Sequence, residues 1–104
     1  MSTTPTSLAR GTFTTTSGTI LYTSSNTGLT SLDNVIIANP ASGISSFNIG
    51  IQNNGITYPL FATRIASNST LFYNIKQVLT SGQSIVGNGS LVGITYHLSG
   101  VVVN

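Results

Sequence analysis

The 104-residue sequence contains no cysteine and almost no charge. Without cysteine there is no disulfide framework, no thiolate metal site and no thiol nucleophile. One histidine and one acidic residue exclude a multi-histidine metal site and a pair of catalytic carboxylates. Only 4% of the residues are charged, against about 25% in a typical domain, and three basic residues cannot form a surface that follows a phosphate backbone. We therefore expect no enzyme activity, no cofactor, no metal and no nucleic-acid partner.

Long apolar segments are also missing. The longest runs, such as Val35–Ala38, are far shorter than a membrane span, so we expect no membrane partner. The N-terminus carries no apolar stretch of signal-peptide length, which favours synthesis without export. The length suits one domain.

Uncharged polar residues and β-formers dominate the composition. Ser, Thr, Asn, Gln and Gly fill more than half of the positions, and Thr, Ile, Val, Tyr and Phe suit pleated, half-buried surfaces. Turn signals recur about every dozen residues, as in sandwiches and barrels, and no segment longer than a turn has helical periodicity. We predict strands near 11–16, 19–24, 32–39, 45–52, 56–65, 69–76, 83–86 and 91–103.

These strands predict an all-β fold: an antiparallel jelly-roll or Greek-key β-sandwich of about eight strands, with an Ig-like sandwich as the alternative. Residues 1–10 are polar, carry a proline and lack periodicity, so they are predicted as a flexible, extended N-terminal arm. Residues 11–104 form the single β-sandwich domain. Within it, the continuous run Val35–Ala38 predicts a central strand, and Gly100 predicts a bulge or bend in the last strand.

His97 and Asp33 are two titratable residues that could take part in catalysis or in an ion pair. His97 is the only candidate base, but its strand neighbours Thr95 and Ser99 are polar, so the alternation turns it towards solvent or a subunit contact. Asp33 is expected to pair with Arg64 or Lys76, or to cap a turn.

The low charge itself predicts assembly. A surface with few charges favours packing against neighbours, and the edge strands are expected to lack the lysine gatekeepers that usually protect them. Three aromatic residues, Tyr58, Phe61 and Phe72, are candidate interface anchors, although Phe61 also fits a core position.

The segment from Gly18 to Val103 resembles small virion proteins of tailed phages, common in marine and cyanobacterial phages. A Tyr-Thr strand is followed by a glycine turn, an aliphatic strand ending in Asn and an alternating strand. An Asn-Ser-Thr turn leads to an aromatic strand, and a Ser-Gly-Val strand closes the pattern. The matching residues are Leu21–Thr23, Thr27-Gly28, Val35–Asn39, Pro40–Gly43, Phe47–Gln52, Asn68–Tyr73, Leu79–Ile85 and Leu98–Val101.

This resemblance implies a head decoration (cement) protein or a tail-fibre module, assembled in the host bacterial cytoplasm. As a decoration protein it would bind the major capsid protein on the outer capsid surface, as a trimer or another small homo-oligomer, and stabilise the shell. The arm would order on a partner by strand addition, and its deletion is expected to leave the β fold intact. The candidate interface residues are Ser2, Thr3, Thr4, Pro5, Thr6, Ser7, Leu8, Arg10, Arg64 and Lys76.

Two alternatives stay open at this point. A tail or fibre component could bind a host-surface glycan through tyrosines such as Tyr22 and Tyr58. A bacterial matrix or pilin-like protein would require an export signal, which favours it least.

Overall fold

The computed structural model describes residues 3–16, 18–24, 28–40, 42–90 and 93–103, and for residues 3–6 and 103 the backbone alone. The described residues form eight strands and no helix, and therefore no helix that could cross a membrane. The strands are β1 (Thr3–Thr12), β2 (Ile20–Thr23), β3 (Leu29–Asn39), β4 (Ser45–Asn53), β5 (Ile56–Ile65), β6 (Ser69–Leu79), β7 (Ser84–Gly89) and β8 (Thr95–Val103).

The strands form two four-stranded antiparallel sheets. One has the order β1-β8-β3-β6 and is called the β1 sheet below, and the other, the β2 sheet, has the order β2-β7-β4-β5. The first strand pairs with the last, the second with the seventh, the third with the sixth and the fourth with the fifth. This is the path of a long hairpin rolled into a sandwich, so the predicted jelly roll is confirmed. The Ig-like alternative is wrong, because Ig sheets pair their strands in the orders A-B-E-D and C-F-G.

The core lies between the two sheets and follows the period-two pattern of the strands. Phe13, just after β1, contacts aromatic rings of both sheets. The centroid of its ring is 4.9 Å from that of Tyr96 in the β1 sheet and 6.2 Å from that of Phe47 in the β2 sheet. The other fully buried apolar side chains come mostly from the central strands. In this core they are Leu32, Val35, Ile37, Phe47, Ile49, Ile51, Ile65, Leu79, Ile85, Ile94 and Leu98.

The N-terminal segment differs from the sequence prediction. Residues 3–10, predicted as part of a flexible arm, form most of edge strand β1, which pairs with β8 from Thr3↔Val103 to Thr12↔Thr95. Leu8 and Ala9 pack against the core. The polar, proline-containing sequence hid this strand, because an edge strand exposes one side of its backbone and tolerates proline. Residues 1 and 2 lie outside the described residues.

The irregularity predicted at Gly100 is present, but the extra residues lie in the neighbouring strands. The register shifts between Leu32 and Asn34 in β3 and between Ser7 and Ala9 in β1, both opposite the Leu98–Gly100 part of β8. A side chain at Gly100 would collide with the Ser31 carbonyl oxygen, so this glycine permits the close approach of β3.

Candidate assembly surface

The outer face of the β1 sheet carries the most exposed aromatic side chain. Phe72 on β6 is 70% exposed, and it lies in register with Ile36 on β3. Ile36 in turn lies opposite His97 on β8, and His97 lies opposite Arg10 on β1. One row across all four strands therefore runs Phe72, Ile36, His97, Arg10, with an aromatic end and a cationic end.

Further along β6, the same face continues with Asn74, Lys76 and Val78. The last of these is 51% exposed and lies in register with Ser31, whose other neighbour is half-buried Val101. Two apolar regions, around Phe72 and around Val78, are thus separated by an amide and an ammonium group.

The three aromatic residues predicted as interface anchors differ in burial: Phe61 is half-buried, whereas Tyr58 and Phe72 are mostly exposed. Phe61 packs against the core and stacks on Tyr73 with ring centroids 4.2 Å apart. The core interpretation of Phe61 is confirmed, and the other two keep their candidacy as contact residues.

Tyr58 lies at the side of the sandwich where edge strands β5 and β6 contact each other. It lines an open groove of about 360 Å³ that mixes apolar side chains, such as Leu60 and Val78, with the amides of Asn53, Gln77 and Gln83. Ile56, on the same strand, is 56% exposed. This side of the sandwich therefore presents a mixed polar and apolar surface between the two sheets.

The predicted basic contact residues do not converge on one site. Arg10 lies on β1 and Lys76 on β6, at opposite edges of the β1 sheet, and Arg64 lies on β5 in the β2 sheet. All three are exposed, and the Arg10 guanidinium donates a hydrogen bond to the Ser7 hydroxyl at 3.2 Å.

Asp33, the acidic residue, accepts a hydrogen bond from the Ser31 hydroxyl at 2.6 Å and is only half-exposed. Among the described residues, the structure shows neither the expected turn cap nor the expected basic partner for Asp33. Instead, Asp33 lies in the irregular part of β3, where it has no counterpart on β8. The outer face of the β1 sheet is left with exposed positive charge.

Each long edge strand carries one of these cations. Arg10, Arg64 and Lys76 lie on β1, β5 and β6, and the fourth edge strand, β2, has only four residues. The expectation that the edge strands lack lysine gatekeepers is wrong for β6, which carries Lys76, while β1 and β5 each carry an arginine instead.

The remaining predicted contact residues are in β1. Ser2 lies outside the described residues, and Thr3, Thr4, Pro5 and Thr6 pair through their backbone with residues 100–103 of β8. Ser7 is exposed, whereas Leu8 is half-buried against the core. This strand offers a partner only its outer edge and its outward side chains.

His97 faces outward, as the alternation predicts. Within the described part of the chain, no hydroxyl group is hydrogen-bonded to its ring, and no group of three metal-ligating side chains is found.

The two tyrosines proposed for glycan stacking are far apart. Tyr22 is on β2 and Tyr58 on β5, the opposite edges of the β2 sheet, about 14 Å apart at normal strand spacing. The Tyr22 hydroxyl is also 3.3 Å from the Thr30 hydroxyl, within hydrogen-bond distance. These tyrosines do not form one sugar site.

A depression on the outer face of the β2 sheet was not predicted from the sequence. It has a volume of about 260 Å³ and includes Asn48, Gly50 and Asn88 in its lining. The available signal was the pair Asn48-x-Gly50 and Gly87-Asn88-Gly89, but it also fits ordinary turn chemistry.

No protein-family model matches this chain, and no curated protein sequence matches it. Among solved structures, Eiger TNF from S. frugiperda is similar over 96% of this chain and 90% of that chain, with a TM-score of 0.54 and 11% sequence identity. A chain of infectious bursal disease virus, Gx strain, is similar over 97% of this chain, with a TM-score of 0.48 and 12% identity, and this chain spans 32% of its length. At such identities the likeness to Eiger shows a shared fold.

Proposed function

We propose that this chain is a structural protein of a tailed-phage virion that decorates the outside of the head. The observation that carries the proposal is an uncharged β surface with uncovered apolar side chains, above all Phe72 at 70% exposure. A chain with 4% charged residues has little electrostatic protection against association, so such side chains are best explained if an assembly covers them.

The outer face of the β1 sheet is the contact that fits this function. Its exposed charges are Arg10 and Lys76, so an acidic surface of the major capsid protein complements it better than a second copy of the same face. Strand addition at β1 is less favoured, because Pro5 lacks an N–H group and Arg10 lies on that edge strand.

The size of this face indicates weak individual contacts. Four strands about 4.8 Å apart and about ten residues long give a flat area of about 500 Å², below the roughly 800 Å² per partner of a standard stable interface. Retention on a shell then requires several simultaneous contacts, which a trimer or another small cyclic homo-oligomer provides.

Stabilisation of the shell follows from mass action. A protein that binds the assembled shell, and not its free subunits, lowers the free energy of the shell by linkage. This mechanism needs no cofactor and no nucleic acid. We propose the outer capsid surface as the location of the chain, after synthesis and assembly in the host cytoplasm.

The test is the copy number of the chain in gradient-purified virions, measured by quantitative mass spectrometry against the major capsid protein. A simple ratio, such as parity, one-half or one-third, is expected for a decoration protein that follows shell symmetry. A ratio lower by about two orders of magnitude would place the chain in the tail or fibre, and absence from the particle would contradict both virion functions.

A further inference from the structure

The depression on the outer face of the β2 sheet has the geometry of a small binding site. Asn48 on β4 lies in register with Asn88 on β7 and with Ala62 on β5. Two residues further along β4, on the same outer face, Gly50 lies in register with Val86 on β7 and with Pro59 on β5. These six residues surround a volume of about 260 Å³ and are called the Asn48–Asn88 depression.

The depression is built into the sheet by Gly50 and the edge strand beside it. The β4–β5 register shifts between Ile49 and Gly50, so that Leu60 has no direct partner. A Cβ atom at Gly50 would lie 2.8 Å from the Tyr58 carbonyl oxygen and 3.0 Å from the Thr57 methyl carbon. A side chain at position 50 would collide with β5, so the close backbone approach requires glycine here. This glycine leaves the space above it open.

Asn48 and Asn88 supply the amide groups of the depression. The Asn48 amide nitrogen donates to the Asn88 amide oxygen over 3.5 Å, a long hydrogen bond. This bond leaves the carboxamide oxygen of Asn48 as an acceptor and the carboxamide nitrogen of Asn88 as a donor. A hydroxyl group can donate to the first and accept from the second, so vicinal hydroxyl groups satisfy both.

The rest of the lining is uncharged and mostly apolar. Exposed Pro59 and Ala62 offer carbon surface, Thr57 adds a hydroxyl group, and no ionisable side chain is among the described lining residues. A ligand with hydroxyl groups on one edge, a C–H face and no charge matches this combination. The volume lies just below the 300–1,000 Å³ of ordinary ligand pockets, which suits one ring.

We propose that the Asn48–Asn88 depression binds a single neutral saccharide ring, such as the terminal residue of a glycan. The amides of Asn48 and Asn88 would bind its hydroxyl groups, and Pro59 and Ala62 would contact its C–H face. This proposal goes beyond the decoration function and does not depend on it, because the site lies on the sheet opposite the proposed capsid contact.

The test is a titration of the purified chain with the methyl glycosides of glucose, galactose, mannose and N-acetylglucosamine, followed by ¹H–¹⁵N NMR. At least one glycoside is expected to shift the side-chain amide signals of Asn48 and Asn88, with a dissociation constant of the order of 1 mM. Asn48→Ala and Asn88→Ala should each weaken binding by about five-fold or more, because each removes a hydrogen-bonding group.

Two further variants make the result specific. Ala62→Leu keeps both amides but fills the depression, and it should abolish the shifts. Asn74→Ala, the same substitution at an exposed position on the other sheet, should leave the affinity unchanged. The NMR spectrum of each variant reports its fold independently of sugar binding.

The proposal is overturned if none of the four glycosides shifts the two amides in the folded protein, or if Ala62→Leu binds as well as the unsubstituted chain. Either result would leave the virion proposal intact. Conversely, absence of the chain from virions would leave the sugar titration valid.

Discussion

Phe72 and Phe61 are two phenylalanines on neighbouring edge strands, and we expect their truncation to have opposite effects. Phe72 is 70% exposed and rests on the outer face of the β1 sheet, whereas Phe61 is half-buried and stacks on Tyr73. Phe72→Ala should therefore leave the stability of the isolated chain nearly unchanged and weaken its assembly. Phe61→Ala is the matched control and should destabilise the fold.

The magnitude for Phe72 follows from its exposed area. A phenylalanine side chain buries about 200 Å², so 70% exposure leaves about 140 Å² to be covered by a partner. At about 25 cal/mol per Å², full coverage contributes about 3.5 kcal/mol. If half of that area is covered, truncation weakens binding by about 2 kcal/mol, a factor of about 30. For Phe61→Ala, partial burial and the lost ring contact give a loss of stability of about 2–3 kcal/mol.

Two assays separate these effects. Urea denaturation of the isolated variants gives the free energy of unfolding, and sedimentation of the variants with phage heads that lack this protein gives their occupancy. The reasoning is refuted if Phe72→Ala destabilises the chain as much as Phe61→Ala, or if Phe72→Ala binds heads at unchanged occupancy.

Two substitutions and one deletion test the fold by thermal and urea denaturation. Asn39→Ala should cost about 2–4 kcal/mol, because this buried amide donates to the carbonyl oxygens of Gly43, Ile65 and Ala66 at 2.9–3.3 Å; a loss below about 1 kcal/mol would contradict that role. Gly87→Ala should cost about 1–3 kcal/mol, since its Cβ would lie 2.7 Å from a backbone oxygen of β4, and unchanged stability would mean that β4 shifts freely. Deletion of residues 1–10 should unfold or aggregate the chain, because it uncovers the β8 edge; a folded, monomeric product would restore the interpretation of this segment as an arm.

Much of the architecture was predictable because the alternation of apolar and polar residues is a local signal. The strand predicted at 56–65 coincides with β5, and the prediction of 45–52 falls one residue short of β4. In β4, one side chain in two faces the core, except at the irregularity near Gly50, and turn residues mark the ends of both strands. Edge strand β5 is mostly exposed, and only Leu60, Phe61 and Ile65 are buried or half-buried.

The first strand could not be predicted from its own residues. The pairing of β1 with β8 joins residues about 90 positions apart, and its sequence resembles a disordered terminus because only Leu8 and Ala9 contact the core among its side chains from residue 7 onward. This segment becomes a strand because, in the jelly-roll topology, its backbone pairs with the last strand of the chain. The depression beside Gly50 was hidden for a similar reason: it depends on a register shift between β4 and β5, which is a property of the pairing.

The distribution of charge connects the fold to the proposed assembly. Each long edge strand carries one of the three basic residues Arg10, Arg64 and Lys76, whose charges oppose strand pairing between molecules. The fourth edge strand, β2, has only four residues and offers little backbone for pairing. The outer face of the β1 sheet carries Arg10 and Lys76 only on its two edge strands, and the most exposed aromatic, Phe72, lies on this same face. Uncontrolled edge pairing would produce open-ended aggregates, whereas contact through a face can stop at a defined partner. The same charges that appeared too few to matter therefore favour face-mediated assembly over edge-to-edge growth.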